Sequence, residues 1–289
     1  MLTTSCSRPP DPMSYAEFLK IPQPSAKRTI SYGGDELQRI ELWLPQGEGP
    51  HPVVFMIHGG CWQTAVAKAD IMGAMAQAFT ERGAAVWNIE YRGIDVPGGG
   101  YPGTFHDVSA AARLLGERGQ AESLDLDRVV AFGHSAGGHL GLWLAGQHKI
   151  DGTSPLQGAK ALGFAGVVSI GGLPDLEEIS SANPNTCGQG TIARLTGAAD
   201  AARVDAFGDT SPAALLPLGV KQILIASAAD NIAPPAYSQS YADKARAAGD
   251  TAEATAVTGQ GHFELITPGT PAGDAVIEAT LDLLGFEGS

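Results

Sequence analysis

Short apolar segments of strand length recur along this chain of 289 residues, and segments of helical length separate them. Residues 53–57 (VVFMI) contain no polar side chain and are bounded by Pro52 and Gly59. A strand without polar alternation is buried on both faces, which is typical of a parallel sheet. Further strand candidates follow at residues 84–89, 129–132, 164–170, 222–226 and 253–257.

Helices are predicted between these strands, at residues 70–82, 104–118, 136–147, 236–248 and 272–284. Strands that alternate with helices of this length indicate βαβ crossovers. The predicted fold class is therefore α/β, with a mostly parallel central sheet and helices on both faces. Two earlier strands, at residues 29–32 and 39–44, are separated only by the turn at residues 33–35, so we expect them to form an antiparallel edge.

The predicted organisation is one α/β domain over residues 28–289, preceded by an irregular lead-in at residues 1–27. The lead-in contains five prolines and one short helical piece near residues 15–19. Residues 174–215 interrupt the alternation of strands and helices with small and polar residues. A long segment of this kind is typically functional, and we interpret it as an insertion over the sheet and a candidate lid.

The charge balance excludes several function classes. Lys and Arg number 18 against 31 Asp and Glu, which gives a formal net charge of −13. Such a surface repels nucleic-acid phosphates and anionic lipid headgroups, so neither nucleic acid nor a membrane is an expected partner. No apolar run reaches the roughly 18–20 residues of a spanning helix. We expect a cytoplasmic location, with export after removal of an N-terminal leader as the alternative.

The spacing of the cysteines indicates no particular structure, and the sequence contains no metal-binding motif. Cys6, Cys61 and Cys187 form an odd set with wide spacing, which predicts no disulfide framework and leaves any pairing open. No His-Glu-x-x-His motif or carboxylate-rich loop occurs in the sequence, so we expect neither a metal nor a cofactor.

Residues 98–103 match the pattern Gly-x-Gly-x-x-Gly, which in another context marks a dinucleotide site. Such a site needs the glycines to turn directly from a strand into a helix, whereas here a stretch of several residues follows the strand. The segment is therefore predicted to be a flexible pocket rim, with Tyr101 as a wall residue.

The sequence Gly133-His-Ser-Ala-Gly137 lies directly between a predicted strand and a predicted helix. A serine at a sharp strand-to-helix turn projects its hydroxyl towards a substrate and sits beside the positive end of the helix. Glycines are needed on both sides because the tight turn leaves no room for side chains. Ser135 is therefore the predicted nucleophile.

The sequence His58-Gly-Gly-Cys-Trp62 follows the strand at residues 53–57. Glycines at a strand end can present backbone N–H groups to a developing oxyanion, together with the N–H of the residue after the nucleophile. The predicted donors are Gly60, Cys61 and Ala136, and Cys61 would act through its backbone. A simple Gly-Gly turn and a nucleophilic Cys61 are the alternatives.

A general base is predicted at His262, in a loop after the last strand, where an imidazole can reach a serine at the same sheet edge. The carboxylate that orients it should follow an earlier strand, in the chain order Ser, Asp, His. Asp230 fits that order, and Asp175, one strand earlier, is the rival. Trp62, Ile232 and Phe263 lie near these positions and predict an apolar wall for an uncharged aromatic or short-acyl substrate.

Taken together, these segments resemble a known group of enzymes, the α/β-hydrolases. The nearest resemblance is to the esterase/lipase group that includes the kynurenine formamidases, and it covers about residues 35–284. The motifs that carry it are His58-Gly-Gly-Cys-Trp62, Gly133-His-Ser-Ala-Gly-Gly-His-Leu140, Asp230 followed by Pro234-Pro235, and Gly261-His-Phe-Glu-Leu265.

The resemblance implies a Ser135–Asp230–His262 triad, an oxyanion hole formed by Gly60, Cys61 and Ala136, and hydrolysis of carboxylic esters through an acyl-enzyme. Two alternatives stay open: an arylformamidase that hydrolyses N-formylkynurenine or another small amide, and a non-catalytic binding protein on a hydrolase scaffold. The expected ligand is a small uncharged ester or amide. The oligomeric state is undetermined, and a homodimer is one alternative.

Overall fold

Eight strands form one sheet across residues 11–150, 152–158 and 162–286, which the computed structural model of the protein describes. The strand order in the sheet is β1-β2-β4-β3-β5-β6-β7-β8. The strands are β1 (Arg28–Ser31), β2 (Arg39–Trp43), β3 (His51–Ile57), β4 (Ala85–Ile89), β5 (Leu124–His134), β6 (Gly166–Ile170), β7 (Lys221–Ser227) and β8 (Ala252–Val257).

The strand directions confirm the predicted antiparallel edge and parallel centre. β1 pairs with β2, and β2 with β4, in antiparallel fashion. The remaining neighbours in the sheet, β4-β3-β5-β6-β7-β8, are all parallel. Ile57 at the end of β3 lies opposite both Ile89 and Gly133. The carboxyl ends of the central strands therefore meet at one edge, which is where ligands bind in open α/β sheets.

Eight α-helices connect and cover the strands within the described residues. The five helices predicted from the sequence are confirmed, with ends that differ by a few residues. The helices are α1 (Tyr15–Phe18), α2 (Gly73–Glu81), α3 (Gly103–Arg118), α4 (Ala136–Gly146), α5 (Leu176–Ala182), α6 (Thr191–Thr196), α7 (Pro235–Ala247) and α8 (Pro271–Leu283).

Alternate residues of β3 are buried in two different cores, one on each face of the sheet. Val53, Phe55 and Ile57 pack against side chains of α3 and α4, while Val54 and Met56 pack against α2 and α8. All five are fully buried. Each such side chain contributes about 1.5–3 kcal/mol of hydrophobic stabilisation, which explains why residues 53–57 of the strand contain no polar side chain.

The lead-in and the insertion both pack on this domain. Ser14 and Glu17 form a capping box that begins α1, and Phe18 is buried in the core on the α2–α8 face. Residues 174–215 contain α5, α6 and a 3₁₀ turn at Pro212–Leu215. In the described part of the chain, no helix combines the length and hydropathy needed to cross a bilayer.

Candidate active site

Ser135 sits between β5 and α4 with φ 54° and ψ −118°, and its side chain is almost fully buried. A non-glycine residue in such a conformation costs on the order of 1–3 kcal/mol, which the surrounding structure must offset. The N–H of Ser135 donates to the carbonyl of Ile170 (2.8 Å), which holds the turn against β6. A Cβ on Gly133 would lie 2.1 Å from the carbonyl oxygen of Gly137, so the turn excludes a side chain there.

Asp230 and His262 come together at the same sheet edge although they follow different strands. The Nδ1–H of His262 donates to Oδ2 of Asp230 at 2.6 Å, and both side chains are buried. The other oxygen, Oδ1, accepts the backbone N–H groups of Ile232 (2.8 Å) and Ala233 (2.9 Å). These three bonds fix the carboxylate and leave Nε2 of His262 for a second partner.

Asp175, the rival carboxylate, has other partners. Its Oδ1 accepts the N–H of Glu178 (3.0 Å) as the N-cap of α5, and its Oδ2 pairs with Lys244 (2.7 Å). An N-cap and an ion pair are the ordinary uses of an aspartate at a helix start. The structure therefore brings Asp230, and not Asp175, to His262.

Ser135 and His262 line one small cavity of about 190 Å³. Ile232 and Phe263, predicted as wall residues, are in its lining, together with Gly60 and Cys61. The other lining residues are Tyr15, Val66, Ala67, Ile71 and His134. The described lining contains no Asp, Glu, Lys or Arg, so the cavity offers an apolar surface beside the hydroxyl.

Trp62 is not a wall residue, which corrects the prediction. Its side chain is fully buried, and the indole Nε1–H donates to Nδ1 of His139 (3.2 Å) on α4. Cys61 and Trp62 both have φ 55°, a left-handed conformation that such residues rarely adopt. The indole thus attaches the loop to α4 and does not face the cavity.

Tyr101 also lies outside the cavity lining, contrary to the prediction. Its hydroxyl donates to Oδ2 of Asp209 (3.0 Å), and the guanidinium of Arg203 lies 4.0 Å from the ring centroid. Asp209 and Arg203 belong to the insertion and form an ion pair. Tyr101 is therefore a contact between the glycine-rich rim and the insertion.

The glycine-rich loop after β3 leaves backbone donors unused beside Ser135. Gly60 has φ 107°, and a Cβ there would lie 2.7 Å from the Cβ of Ala67, so only glycine fits. Within the described residues, no carbonyl or side chain accepts the N–H of Gly60 or Cys61. Ala136 begins α4, and its N–H has no partner in the helix.

Cys61 forms a disulfide with Cys187, and the two Cα atoms are 5.3 Å apart. The sequence predicts no disulfide framework and leaves the pairing open, because two cysteines separated by 126 residues give no local signal of contact. The disulfide removes the thiol of Cys61, so the alternative of a nucleophilic cysteine is wrong for this oxidised form.

The sequence alone indicates no role in the site for two nearby histidines, His134 and His58. Nε2 of His134 contacts the carbonyl oxygen of His262 (3.2 Å), and the two rings lie 4.5 Å apart. Burial lowers the pKa of His134 well below its ordinary value, which keeps the ring neutral. Nε2 of His58 contacts the buried carboxylate of Glu90 (3.0 Å), which also accepts the N–H of Ala69 beneath the loop.

Comparison with protein-family models finds a match to more than half of the chain. The BD-FAE family model matches residues 40–245 of the chain.

Curated relatives match shorter parts of the chain. "Probable isoprenylcysteine alpha-carbonyl methylesterase ICMEL1" of Arabidopsis thaliana is 32% identical over 119 residues, which is 40% of this chain and 24% of that protein. Carboxylesterase NlhH of Mycobacterium tuberculosis is 30% identical over 138 residues, which is 45% of this chain and 40% of that protein. The chain therefore spans less than half the length of these curated relatives.

Solved structures resemble nearly the whole chain. Esterase B from Lactobacillus rhamnosis has a TM-score of 0.75 at 20% identity, covering 91% of this chain and 88% of that one. A truncated carbohydrate esterase from gut microbiota has a TM-score of 0.73 at 19% identity, covering 91% and 98%. At these identities the likeness concerns the fold, and it confirms the predicted fold class.

Proposed function

Because this chain belongs to the BD-FAE family, we propose that it is a serine hydrolase of carboxylic esters, with Ser135 as its nucleophile. The α/β-hydrolase fold, shared with solved esterases, is compatible with this chemistry. The single observation that carries the proposal is the shared cavity of Ser135 and His262, with Nδ1 of His262 bonded to Asp230. A nucleophile, a base and an orienting carboxylate are the three groups that acyl transfer requires.

In the first half of the reaction, Nε2 of His262 takes the proton of the Ser135 hydroxyl while the oxygen attacks the ester carbonyl. The carbonyl oxygen becomes negative and accepts hydrogen bonds from the N–H groups of Gly60, Cys61 and Ala136. The tetrahedral intermediate then collapses, the C–O bond to the alcohol breaks, and His262 gives its proton to the departing alkoxide. The acyl group remains as an ester of Ser135.

In the second half, a water molecule attacks the acyl carbonyl and His262 takes one of its protons. The same three N–H groups stabilise the second tetrahedral intermediate. Collapse returns the proton to the Ser135 oxygen and releases the carboxylic acid. Asp230 keeps its charge throughout and stabilises the imidazolium that forms in each half.

The cavity supports a small, uncharged acyl group as the substrate part bound beside Ser135. Its volume is about 190 Å³, and an apolar protein cavity of about 150 Å³ is large enough to bind benzene. No cationic side chain is present in the described lining to pair with an anionic acyl group, and the net charge of −13 repels anions. Short-chain and single-ring esters are therefore the expected substrates.

The test combines covalent labelling with turnover. The wild type should hydrolyse p-nitrophenyl acetate and react with a fluorophosphonate probe, and Ser135→Ala should lose the labelling and at least about 10³-fold in kcat. Ser109→Ala, a serine substitution on α3 outside the cavity lining, is the matched control and should keep both activities. A wild type that is neither labelled nor active on short esters contradicts the proposal and favours a binding protein.

A second assay, with a formamide substrate, distinguishes ester hydrolysis from amide hydrolysis at the same site. Formate release from N-formylkynurenine and alcohol release from p-nitrophenyl esters are measured on one preparation, and we expect the ester to have the higher kcat/KM. The reverse ranking would assign the site to small amides, the arylformamidase alternative.

The disulfide between Cys61 and Cys187 gives information about the cellular compartment of the protein. Disulfides persist in oxidising compartments and are rare in the cytosol of mesophiles, so the Cys61–Cys187 pair favours the export alternative over the cytoplasmic expectation. We therefore propose that the protein works in an oxidising compartment. Alkylation of the protein in its native cells, followed by mass analysis, should find these two cysteines protected; two alkylated thiols would contradict this location.

A further inference from the structure

Three consecutive residues of the loop after β3 have positive φ, with values of 107° at Gly60, 55° at Cys61 and 55° at Trp62. Glycine adopts this region freely, but Cys and Trp rarely do. Such conformations persist only where the surrounding structure fixes them. The contacts that fix each residue therefore decide where its backbone N–H points.

Gly60 and Trp62, on either side of Cys61, are held by non-covalent contacts. The carbonyl of Gly60 accepts the N–H of Gln63 (2.9 Å). Trp62 is held at both ends, because its carbonyl accepts the N–H of Ile94 (2.7 Å) and its indole donates to His139 (3.2 Å).

Cys61 is held differently. Its N–H has no acceptor among the described residues, and its side chain is bonded to Cys187. Cys61 is also in the cavity lining, beside Ser135. The disulfide is therefore the contact that anchors the side chain of Cys61. The backbone N–H of the same residue has no acceptor, and the residue lines the cavity.

Cys187 is itself fixed, so it can serve as an anchor. It lies between α5 and α6, and its carbonyl accepts bonds from the side chains of Gln63 (3.3 Å) and Thr191 (3.0 Å). Gln63 belongs to the same loop as Cys61, so the disulfide and this hydrogen bond join the same two segments. The insertion thus reaches the loop through Cys187.

We propose that Cys187 is a positioning residue, which through its disulfide holds the N–H of Cys61 in place to stabilise the oxyanion. This inference rests on the proposed ester hydrolysis. It also makes turnover sensitive to reduction. A dithiol such as dithiothreitol supplies two electrons and two protons; the S–S bond breaks, thiols form at Cys61 and Cys187, and the reductant becomes a cyclic disulfide.

The expected effect falls on kcat. Oxyanion donors act on charge that develops in the transition state, so their misplacement lowers kcat and leaves KM nearly constant. A disulfide that only shaped the substrate cavity would change KM instead. Removal of a whole donor lowers kcat by about 10²–10³-fold, and a donor that is only loosened should lose less.

The first test compares Cys187→Ala with Cys6→Ser, a cysteine substitution that leaves the disulfide intact. We expect kcat for p-nitrophenyl acetate to fall at least about fivefold in Cys187→Ala, with KM within about twofold of wild type, and no change in Cys6→Ser. A smaller fall in kcat, or a change confined to KM, overturns the inference. Circular dichroism establishes whether the variant is folded.

The second test uses the wild type and decides the question if Cys187→Ala does not fold. Folded wild type is titrated with dithiothreitol, the fraction of reduced Cys61 and Cys187 is measured by alkylation and mass, and kcat should fall in proportion. The reductant should not change kcat of Cys61→Ala/Cys187→Ala. Constant kcat across full reduction overturns the inference alone, whereas an oxidised wild type without esterase activity contradicts the proposed function.

Discussion

At the scale of single residues, one carboxylate decides which nitrogen of His262 carries a proton. Asp230 accepts the Nδ1–H at 2.6 Å, and its other oxygen accepts the N–H groups of Ile232 and Ala233. Rotation of the carboxylate would break these bonds, so its orientation is fixed. The tautomer with a free Nε2 is the one that can take a proton from Ser135.

Asp230→Asn should therefore abolish most of the activity without unfolding the protein. The amide oxygen can still accept the N–H groups of Ile232 and Ala233, but the NH₂ group faces Nδ1 of His262 and stabilises the wrong tautomer. We expect kcat to fall by about 10³–10⁴-fold, measured with p-nitrophenyl acetate, and the Tm to change little.

Asp175→Asn is the matched control, because Asp175 follows the preceding strand of the sheet and pairs with Lys244, outside the cavity lining. Lys244 is about half-exposed whereas Asp175 is largely buried, and asparagine keeps the oxygen that accepts the N–H of Glu178, so it caps α5 about as well as aspartate does. We expect wild-type kcat in this variant. If Asp175→Asn lost activity and Asp230→Asn kept it, the assignment of the carboxylate would be reversed.

The order of residues and strands could predict that Ser135 and His262 line one cavity and that Asp230 contacts His262, but not which distant side chains hold Trp62 and Tyr101. Ser135, Asp230 and His262 follow predicted strands, and the parallel sheet brings strand ends to one edge. The predicted wall roles of Trp62 and Tyr101 are wrong because their partners, His139 and Asp209, lie far away in the chain. Nothing in the local sequence indicates those contacts.

At the scale of elements, the lead-in contributes a wall to the cavity. Tyr15, the first residue of α1, lines the cavity with Ser135. Its ring lies 5.2 Å from that of Phe263, and its hydroxyl donates to the carbonyl of Val66 (2.5 Å). α1 is thus held against both the loop that contains His262 and the loop after β3, and its position limits the size of the cavity.

Tyr15→Ala should widen the cavity and change the acyl preference. The lost ring makes room for longer chains, and one methylene in an apolar pocket is worth about 10-fold or more in kcat/KM. We expect the ratio of kcat/KM for p-nitrophenyl hexanoate over acetate to rise about tenfold. Tyr15→Phe keeps the ring and loses only the hydroxyl, so its hexanoate-to-acetate ratio should equal that of wild type. If this ratio were unchanged in Tyr15→Ala, α1 would not form part of the acyl-binding wall.

The helix and strand pattern was predictable because hydrophobic periodicity is local, whereas the role of the lead-in was not. The short helix near residues 15–19 was predicted and is confirmed as α1. Its place on the cavity depends on contacts of Tyr15 and Phe18 with Phe263, which lies more than 240 residues later. β5 begins earlier than predicted, at Leu124, because Leu124 and Asp125 are paired with His51 and Pro52 of β3.

At the scale of the whole molecule, one buried histidine joins three regions. Nδ1 of His139 on α4 accepts from Trp62 of the loop after β3, so Nε2–H is the donor to the carbonyl of Thr210 in the insertion (2.8 Å). Burial lowers the pKa of His139 to about 4, although the bond to Thr210 acts in the opposite direction. The neutral ring is therefore the form that holds these regions together.

His139 should make the stability of the whole fold depend on pH. Its pKa is near 6.5 in the unfolded chain and about 4 in the folded one, so the unfolded state binds the extra proton first as the pH falls. The stability from the neutral ring is complete above pH 6.5 and is lost as the pH falls towards 4. At about 1.4 kcal/mol per pKa unit, it is on the order of 3 kcal/mol.

Urea unfolding between pH 7.5 and 4.5 measures this contribution as the difference between wild type and His139→Gln, whose amide can accept from Trp62 and donate to Thr210 without titrating. The free energy of unfolding should fall more steeply with decreasing pH in the wild type than in His139→Gln. His106→Gln, at an exposed position of α3, should have the wild-type slope. Equal slopes in wild type and His139→Gln would mean that His139 does not couple protonation to folding, and the acid sensitivity would then belong to other groups such as His134.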